Sequence, residues 1–334
     1  MNKIDRLFFE QTVSSGLPKK NDTVLVCVSG GSDSMALLHL FLTIQSPFSL
    51  SLGIAHVNHG WRKTESENEA LFVQQVAKEC SIPFFPRLVH PDEWRGIPGT
   101  GLEEKGRFVR CQFFYETAKK NGFRLIALGH TQDDLLETLL FNLIRGTSPE
   151  GFAGLLPIFD PDSSFFRPLL SFTKNTLLSY LASKNIAYKT DKSNMDEKFT
   201  RNKIRNQVVP LLMTINPAVG SAFLRFKEIL ADDEGFILEL VSKFLTASAT
   251  IINEEIRIPR AEYLLLSRCL QFHLIREIRK KVTLSPRDFY FSQIISIHQG
   301  IMIKEDFCYQ DKNMGVECRD GLIVFFNLKR KDER

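Results

Sequence analysis

The sequence predicts an α/β protein in which an open parallel sheet with helices on both faces precedes a mainly helical C-terminal domain with a small β-rich end. Short apolar runs alternate with longer helical stretches through the first half of the chain. The alternation stops in the second half, where amphipathic stretches of helical period dominate. Short β-like runs separated by turn residues then occupy the tail.

Four strand–helix repeats make up the first half. Apolar runs typical of buried parallel strands cover 23–28, 50–57, 83–89 and 123–129. Helical stretches follow them over 35–44, 65–80, 103–120 and 132–144. In open parallel sheets, ligands bind outside the carboxyl ends of the strands. We therefore expect functional residues in the loops at 29–34, 58–62 and 129–134.

The second half is predicted to be helical at 173–184, at 200–213 and along a long amphipathic stretch at 217–248. We place the domain boundary at 215, which gives a first domain of residues 1–215 and a second of residues 216–334. The second domain is predicted to be helical to about 299 and to end in short strands within 300–328.

Composition restricts the class of protein. Of the 334 residues, 43% are hydrophobic and 25% are charged, which excludes a disordered chain, a collagen-like fibre and a disulfide miniprotein. The six cysteines include no CxxC pair, so zinc-ribbon and iron–sulfur spacings are missing and a reducing compartment is favoured. No apolar run approaches the roughly 18 residues of a membrane span. We therefore expect a cytoplasmic protein without a membrane partner.

The net charge of +4 permits a nucleic-acid partner without requiring one.

The loop after the first strand has the composition of a phosphate site. Ser29-Gly30-Gly31-Ser32-Asp33-Ser34 places two glycines and three hydroxyls between a buried strand and a helix N-terminus. Such a terminus offers backbone N–H groups and the positive end of the helix dipole to an anion. The alternative is a plain strand-to-helix turn with serine or aspartate as N-cap. The sequence has no Gly-Lys pair and no GxGxxG, which excludes a Walker loop and the usual dinucleotide fingerprint.

These six residues resemble the SGGxDS loop of the PP-loop ATP pyrophosphatases, whose fold is adenine nucleotide alpha hydrolase-like. The resemblance implies that ATP is bound, that pyrophosphate is released and that AMP is left on the substrate. It also implies ATP and Mg2+ as cofactors. Asp33 would help to hold the magnesium, while the pyrophosphate would be cradled by Ser29, Gly30, Gly31, Ser32 and Ser34.

Four further segments resemble tRNA(Ile)-lysidine synthetases in the expected order. They are AHVNHGWR at 55–62, GLEEKGRFVRCQFF at 101–114, LGHTQDDLLETLLFNLIRG at 128–146 and SNMDEKFTRNKIRNQVVPLL at 193–212. The sequence departs from the family pattern at Trp61, Gly106, Cys111, Lys192 and Phe199. Beyond about 215 the match is weak.

The resemblance implies a ligase that forms a carbon–nitrogen bond. Such enzymes use ATP to join L-lysine to C2 of the wobble cytidine in the CAU anticodon of tRNA(Ile), through an adenylated tRNA intermediate. They release AMP and pyrophosphate, and decoding changes from AUG to AUA. Residues 1–215 would then be the PP-loop ATP-binding catalytic domain and residues 216–334 a tRNA-binding domain. The sequence leaves the oligomeric state open, with a homodimer as one option.

The implied site residues fall within the matched segments. Asp134 and Glu137 lie three apart on a helix, so they share a face, and they are assigned to the lysine substrate. Asp133 is placed near magnesium or ATP. The alternative for these acids is a solvated first turn, since carboxylates favour helix N-termini. The adenine and ribose side would be lined by Ala55, His56, Gly129 and His130.

Arginines at helical spacing are the expected anion ligands. Arg107 and Arg110 form one pair and Arg201 and Arg205 another; each pair can grip a phosphate or carboxylate. We assign Arg201 to catalysis and the others to ATP or the RNA backbone, with surface ion pairs as the alternative. Basic residues are in excess at 184–205 and 257–287, which predicts contact with tRNA unless these are merely solvated helix faces.

Three other functions compete with this one. A PP-loop tRNA thiolase often uses a CxxC pair, which this chain lacks, although Cys27 and Cys111 are candidate isolated nucleophiles. A PP-loop amidotransferase needs an ammonia source, and no N-terminal glutaminase segment is evident. A non-catalytic RNA-binding protein would be expected to lose the loop and the acidic residues that this sequence retains.

Overall fold

The computed structural model describes residues 2–60, 63–97, 101–147, 152, 159–160, 164–190, 200–283 and 289–328. Trp61, Lys192, Phe199 and Arg287 lie outside these ranges. The chain divides into two compact units, Met1–Ile229 and Leu230–Arg334. This division falls inside one long helix, 14 residues beyond the boundary at 215 that the sequence predicts.

The first unit is built on a six-stranded sheet. Its strands are β1 (Thr23–Cys27), β2 (Ser51–Asn58), β3 (Phe84–Leu88), β4 (Leu125–Ala127), β5 (Phe159–Asp160) and β6 (Phe165–Phe166). Their order is β3-β2-β1-β4-β6-β5, and every neighbouring pair is parallel except β5 with β6. The predicted parallel sheet is confirmed, with β1 at its centre.

Helices cover both faces of this sheet, as predicted. They are α1 (Lys3–Ser15), α2 (Ser32–Phe48), α3 (Lys63–Glu79), α4 (Leu102–Asn121), α5 (Gln132–Arg145) and α6 (Lys174–Ser183). Successive β1 side chains enter two different cores because side chains alternate along a strand. Val24 and Val26 pack in the core that contains α2, while Leu25 and Cys27 pack in the core that contains Phe114 of α4.

A helical segment with an irregular centre follows. Helix α7 (Thr200–Lys203) passes into a π-helical turn at Ile204–Val208 and then into α8 (Val209–Ile215). Ile204 and Val209 pack against Leu136 and Leu140 of α5. A π-helical turn shifts side chains out of the α-helical register and is common at functional sites. Here it carries Arg205.

The second unit begins within α9 (Val219–Ser248). It also contains α10 (Arg260–Leu265), α11 (Arg268–Thr283) and α12 (Phe291–Ile303). Five antiparallel strands form its sheet in the order β7-β8-β11-β10-β9: β7 (Thr250–Ile252), β8 (Glu255–Pro259), β9 (Phe307–Gln310), β10 (Met314–Arg319) and β11 (Leu322–Asn327).

Strands β7 and β8 differ from the prediction of helix to about 299. They form a hairpin whose two central residues, Asn253 and Glu254, have φ values of 52° and 65°. A two-residue turn with positive φ at both positions matches the twist of a hairpin. Ile256 and Ile258 then alternate into the core of the unit, which anchors β8 between β7 and β11.

No single helix among the described residues has the length and apolar composition needed to cross a membrane. Thr200–Ile215 and Val219–Ser248 reach that composition only as a pair, which is sharply bent at its joint.

Candidate active site

A cavity of about 480 Å³ opens at the carboxyl ends of β1, β2 and β4. Three of the predicted loops meet there, because parallel strands end at the same edge of a sheet. The cavity is lined by Cys27, Val28, Ser29, Gly31, Asp33, Ser34, His56, Asn58, His59, Arg110, Gly129 and His130, among others. Ala55, which the sequence assigns to the adenine side, is buried within β2, where its carbonyl accepts a hydrogen bond from the Val28 N–H at 2.8 Å.

The loop between β1 and α2 is held by its own hydroxyl groups. The Ser29 N–H donates to Ser34 Oγ at 3.1 Å, Ser34 Oγ donates to the Gly31 carbonyl at 2.9 Å, and the Gly31 N–H donates to Ser29 Oγ at 3.3 Å. Gly30 has a φ of 93°, which favours glycine. Gly31 is the N-cap of α2 and no side chain caps that end. The helix N-terminus therefore faces the loop in the geometry that suits an anion.

The end of β4 approaches this loop closely. A Cβ atom placed on Gly129 would lie 3.3 Å from the Asp33 carbonyl group and from Ser34 Cα. That distance is tighter than most Cβ contacts, so glycine at 129 allows the two loops to touch. The first turn of α5 follows directly and is thereby brought to the phosphate loop.

Asp33 and Asp133 are joined through one residue, Lys174. Lys174 Nζ donates to Asp33 Oδ2 at 3.0 Å, and the Lys174 backbone N–H donates to Asp133 Oδ2 at 2.7 Å. Burial raises the pKa of Asp33, and the charge of Lys174 opposes that rise. Nothing in the local sequence around Lys174 signals this contact, because it joins residues 141 positions apart.

The first turn of α5 is a capping box. Thr131 is the N-cap, its hydroxyl accepts from the Asp134 N–H at 3.4 Å, and Asp134 Oδ2 accepts from the Thr131 N–H at 2.8 Å. One oxygen of Asp134 therefore has the structural role that the sequence analysis gives as the alternative for this residue. Its other oxygen, Oδ1, faces Arg205.

Arg205 bonds both carboxylates that the sequence analysis assigns to the lysine substrate. Its Nε donates to Glu137 Oε2 at 2.8 Å, and its terminal nitrogen lies 2.6 Å from Glu137 Oε2 and 3.3 Å from Asp134 Oδ1. The Glu137 side chain is only 8% exposed. Burial raises the pKa of Glu137, while the Arg205 guanidinium lowers it. A cationic group thus sits where the lysine ammonium is expected.

Three histidines lie at the cavity. Burial lowers the pKa of His59 and of His130 to about 4 and lowers that of His56, so these rings are neutral near pH 7. His56 Nδ1 lies 2.8 Å from the Val28 carbonyl and must donate to it, which makes Nε2 an acceptor. Nε2 is buried and has no hydrogen-bond partner among the described residues.

The arginines are spread around the site. Arg110 donates to His59 Nε2 at 3.1 Å at the cavity edge, and Arg107, exposed on the same helix, contributes with it to the lowered pKa of His130. The Arg201 guanidinium lies 5.1 Å from the centre of the Phe141 ring and helps to lower the pKa of Glu137. Arg201 and Arg205 therefore both act on the start of α5 that carries Asp133, Asp134 and Glu137, here called the acidic turn of α5.

The basic stretch at 257–287 uses several of its cations inside its own unit. Arg260 donates to the Ile301 and Met302 carbonyls at the end of α12, and buried Arg279 contacts Asp311 at 2.5 Å. Arg257 pairs with Glu255. The excess of basic residues is thus partly explained by the packing of this unit.

The loop after β2 shows why Asn58 and Gly60 stand in the segment at 55–62. The Asn58 side chain accepts from the Gly60 N–H at 2.8 Å and donates to the Ser66 carbonyl at 3.1 Å. Gly60 has a φ of 68°, and a Cβ there would lie 2.9 Å from the Val89 carbonyl oxygen. These two residues shape the loop that presents His59 to the cavity.

Comparison with known proteins agrees with this geometry. Residues 2–212 match the model of a family described as a PP-loop domain. The chain is 36% identical over 233 residues to a tRNA(Ile)-lysidine synthase of Geobacter sulfurreducens, covering 69% of the chain and 48% of that protein. It is 36% identical over 211 residues to a tRNA(Ile)-lysidine synthase of Petrotoga mobilis, covering 63% of the chain and 67% of that protein. The chain belongs to the PP-loop family of tRNA(Ile)-lysidine synthases.

Some relatives in this family are longer. The matched part of the chain spans about half the length of the Geobacter sulfurreducens protein, and 55% of a tRNA(Ile)-lysidine synthase of Geobacillus kaustophilus that is 33% identical. Among solved structures, the U34-tRNA thiolase NcsA from Methanococcus maripaludis with its 4Fe-4S cluster aligns with a TM-score of 0.55 at 17% identity, covering 68% of the chain and 80% of the thiolase. That likeness concerns the fold alone.

Proposed function

We propose that the chain is an AMP-forming ligase that uses ATP to join L-lysine to C2 of the wobble cytidine in the CAU anticodon of tRNA(Ile). The observation that carries the proposal is the meeting of two sites at one sheet edge. A phosphate loop with a complete SGGSDS sequence touches the end of β4, and the acidic turn that follows β4 holds a cationic side chain. One site suits the triphosphate of ATP and the other suits an ammonium group.

The reaction needs two steps because a cytosine C2 oxygen is a poor leaving group. The C2 oxygen attacks the α-phosphorus of ATP, the bond to the β-phosphate oxygen breaks, and pyrophosphate leaves. The lysine ε-nitrogen then attacks C2, the C2–O bond breaks, and AMP leaves with that oxygen. The backbone of the 29–34 loop and the N-terminus of α2 would bind the departing pyrophosphate. In the first step the protein mainly positions the reacting groups and stabilises the negative charge on the phosphates.

The lysine amine must lose a proton before it attacks, since its ordinary pKa is about 10.4. Glu137 is suited to accept that proton, because burial raises its pKa and so makes its carboxylate a stronger base than an exposed one. In the proposed complex the lysine ammonium replaces the Arg205 guanidinium at Glu137 and Asp134, since both groups are cationic donors. Arg201 would remain nearby to stabilise negative charge on the departing AMP.

The carboxylates present fit a magnesium ion of the usual nucleotide type. Among the described residues no group of three or more His, Cys, Asp and Glu side chains is arranged to hold a metal. Mg²⁺ in nucleotide sites commonly takes only one or two carboxylates and completes its shell with phosphate oxygens and water. Asp33 and Asp133, both in contact with Lys174, would hold it. When bound, the ion would offset charge on the triphosphate.

The adenine and ribose would occupy the cavity beside His56, Gly129 and His130. His56 Nε2 offers a buried acceptor there, and an exocyclic amine is the kind of donor that would satisfy it.

A thiolase function is not favoured, because burial raises the pKa of Cys27 well above its usual value and so disfavours the nucleophilic thiolate.

One experiment tests the proposal. The protein is incubated with ATP, labelled lysine and unmodified tRNA(Ile) with anticodon CAU, and label in the tRNA and AMP release are measured. The matched control is the same tRNA with a GAU anticodon, which should take up no lysine. Transfer of sulfur in place of lysine would favour a thiolase, and tRNA binding without ATP turnover would favour a non-catalytic role; either result would reject the proposal.

A further inference from the structure

Lys174 is the basic side chain in contact with the aspartate of the phosphate loop. It is the first residue of α6, whose N-cap Thr173 accepts from the Thr176 N–H at 3.2 Å. The Lys174 main chain is fixed by the 2.7 Å hydrogen bond from its N–H to Asp133. Its ammonium reaches Asp33 at 3.0 Å and its side chain is 47% exposed. The backbone is therefore anchored while the four-carbon side chain keeps room to move.

A comparison within the same helix separates this contact from a structural ion pair. At the other end of α6, Lys184 lies 3.0 Å from Asp5, which is 1% exposed. Lys184 thereby neutralises a charge enclosed by the fold, as expected of a structural pair. Asp33 is 26% exposed and lies at the cavity. An ion pair of that exposure contributes little to stability.

The charges at this edge of the sheet would repel a polyphosphate. Four carboxylates lie at this edge in two hydrogen-bonded groups: Lys174 contacts Asp33 and Asp133, and Arg205 contacts Asp134 and Glu137. The phosphate loop itself contains no lysine or arginine. A cation delivered to the loop from elsewhere in the fold would offset this repulsion. Lys174 is placed to do so, since its ammonium already lies at the loop.

We propose that Lys174 is a pyrophosphate-binding residue. Its ammonium pairs with Asp33 when no nucleotide is bound and bonds the β- and γ-phosphate oxygens of ATP when the nucleotide arrives. Lysine serves as a mobile point charge for phosphate in this way, and its flexible side chain can exchange one anion for the other. The inference rests on the proposed use of ATP and adds a residue that lies outside every motif identified in the sequence.

The test measures the binding of inorganic pyrophosphate and of adenosine to the full chain by calorimetry, without added metal. Lys174→Met is expected to weaken pyrophosphate binding by about 10- to 100-fold, the usual effect of losing a hydrogen bond to a charged group. Adenosine binding should be unchanged. Lys174→Arg should retain most of the pyrophosphate affinity because it keeps a cation at the loop. Lys184→Met is the matched control: it removes a lysine with the same 3.0 Å contact to a carboxylate and should leave pyrophosphate affinity unchanged.

The outcomes separate this inference from the proposed function. If Lys174→Met bound pyrophosphate as tightly as the unmodified chain, the inference would be wrong while the proposed ligase remained intact. The inference would also be wrong if Lys174→Met lost pyrophosphate and adenosine binding to an equal degree, since that would indicate a structural role. If the unmodified chain bound neither pyrophosphate nor adenosine and did not consume ATP, both proposals would fail together.

Discussion

The phosphate loop and the acidic turn of α5 stand at the ends of neighbouring strands, but they are held in different ways. In the loop, the Ser29 and Ser34 hydroxyls bond to groups no more than five residues away. In the turn, Asp133 bonds Lys174 and Glu137 bonds Arg205, which are 41 and 68 residues distant. The loop is shaped by local sequence before any ligand binds. The turn instead depends on distant groups, the Lys174 backbone N–H at Asp133 and the Arg205 cation at Glu137, and a cationic ligand must replace Arg205.

This difference separates two kinds of contribution to the proposed reaction. A preformed loop contributes geometry, so its loss should affect the first chemical step. A turn whose carboxylates exchange one cation for another contributes charge and proton transfer, so its loss should affect the second step. Substitutions in the two regions can therefore be told apart by the step that they slow.

The largest effect is expected at the loop. Asp33→Ala removes the carboxylate that contacts Lys174 and that is assigned to magnesium, so adenylate formation should fall by about a thousandfold or more. The measurement is ATP–pyrophosphate exchange or AMP transfer to labelled tRNA. Asp92→Ala, an exposed aspartate of the same unit, serves as control and should retain full activity. If Asp33→Ala formed the adenylate at the normal rate, Asp33 would have no role in the first step.

Glu137→Gln should affect the other step. It keeps the size of the side chain but removes the proton acceptor, so lysine transfer from a preformed adenylate should fall by about 10²- to 10⁴-fold. Adenylation should stay within about twofold of normal, because Glu137 bonds Arg205, whereas the loop is joined to α5 through Lys174 and Asp133. Single-turnover assays with and without lysine measure the two steps. Glu116→Gln, exposed on α4, is the matched control. An equal loss in both steps would contradict the assignment of the loop to adenylation and of the acidic turn to lysine transfer.

Arg205→Gln tests the exchange of cations at the turn. Arg205 lowers the pKa of Glu137, so its removal should raise that pKa further above the ordinary value. Glu137 must be ionised to accept a proton, and the rate of lysine transfer should therefore begin to fall at a higher pH as the solution is made acidic. The measurement is the pH profile of single-turnover lysine transfer at subsaturating lysine, which reports Glu137 while Arg205 still contacts it. Arg205→Lys keeps the charge and should keep the profile near its original position; a profile that does not move in Arg205→Gln would show that Arg205 does not control Glu137.

The contrast between loop and turn also explains what the sequence could predict. The strand, glycines and hydroxyls of the loop are contiguous in the sequence, so the motif alone predicts how the loop folds. Asp134 and Glu137 could be assigned to one helix face from their spacing. The contacts of Lys174 and Arg205 with these carboxylates could not be predicted, because they depend on how α6 and the π-helical turn pack against the sheet.

Two elements that were not predicted did carry local signals. Asn2 and Asp5 form a capping box at the start of α1, in the spacing typical of a helix N-terminus. Ile256 and Ile258 alternate after Asn253 in the manner of a hairpin strand. The hairpin signal lies directly after the long amphipathic helix, whose pattern dominates this part of the sequence. Burial stabilises both elements: Phe8 of α1 lies in the core of the first unit, and Ile256 and Ile258 of β8 lie in the core of the second.

A smaller effect compares the two regions through single hydroxyl groups. Thr131→Ala removes the N-cap of α5 and should cost about 1 kcal/mol of unfolding free energy. Ser29→Ala removes a hydroxyl that bonds only within its loop and should cost about 0.5–1 kcal/mol. Urea denaturation measures both. Thr131→Ser should recover most of the loss because it restores the capping oxygen. A larger loss for Ser29→Ala than for Thr131→Ala would contradict the view that the loop supports only itself.

The smallest expected effect is a binding constant that does not change with pH. His59 and His130 have pKa values of about 4, because burial disfavours their charged forms. At pH 5.5 only about 3% of such a group is protonated, so both rings keep one charge state from pH 5.5 to 8. Adenosine should therefore bind with a dissociation constant that varies by less than about twofold over this range, measured by calorimetry. Adenosine is chosen because it lacks phosphates that titrate near neutrality. Lysine transfer should in contrast weaken as the solution is made acidic, because Glu137 must be ionised to accept a proton and burial raises its pKa. A tenfold change in adenosine affinity would mean that a histidine at the cavity titrates, and the division between an uncharged nucleotide side and a titrating acidic turn would be wrong.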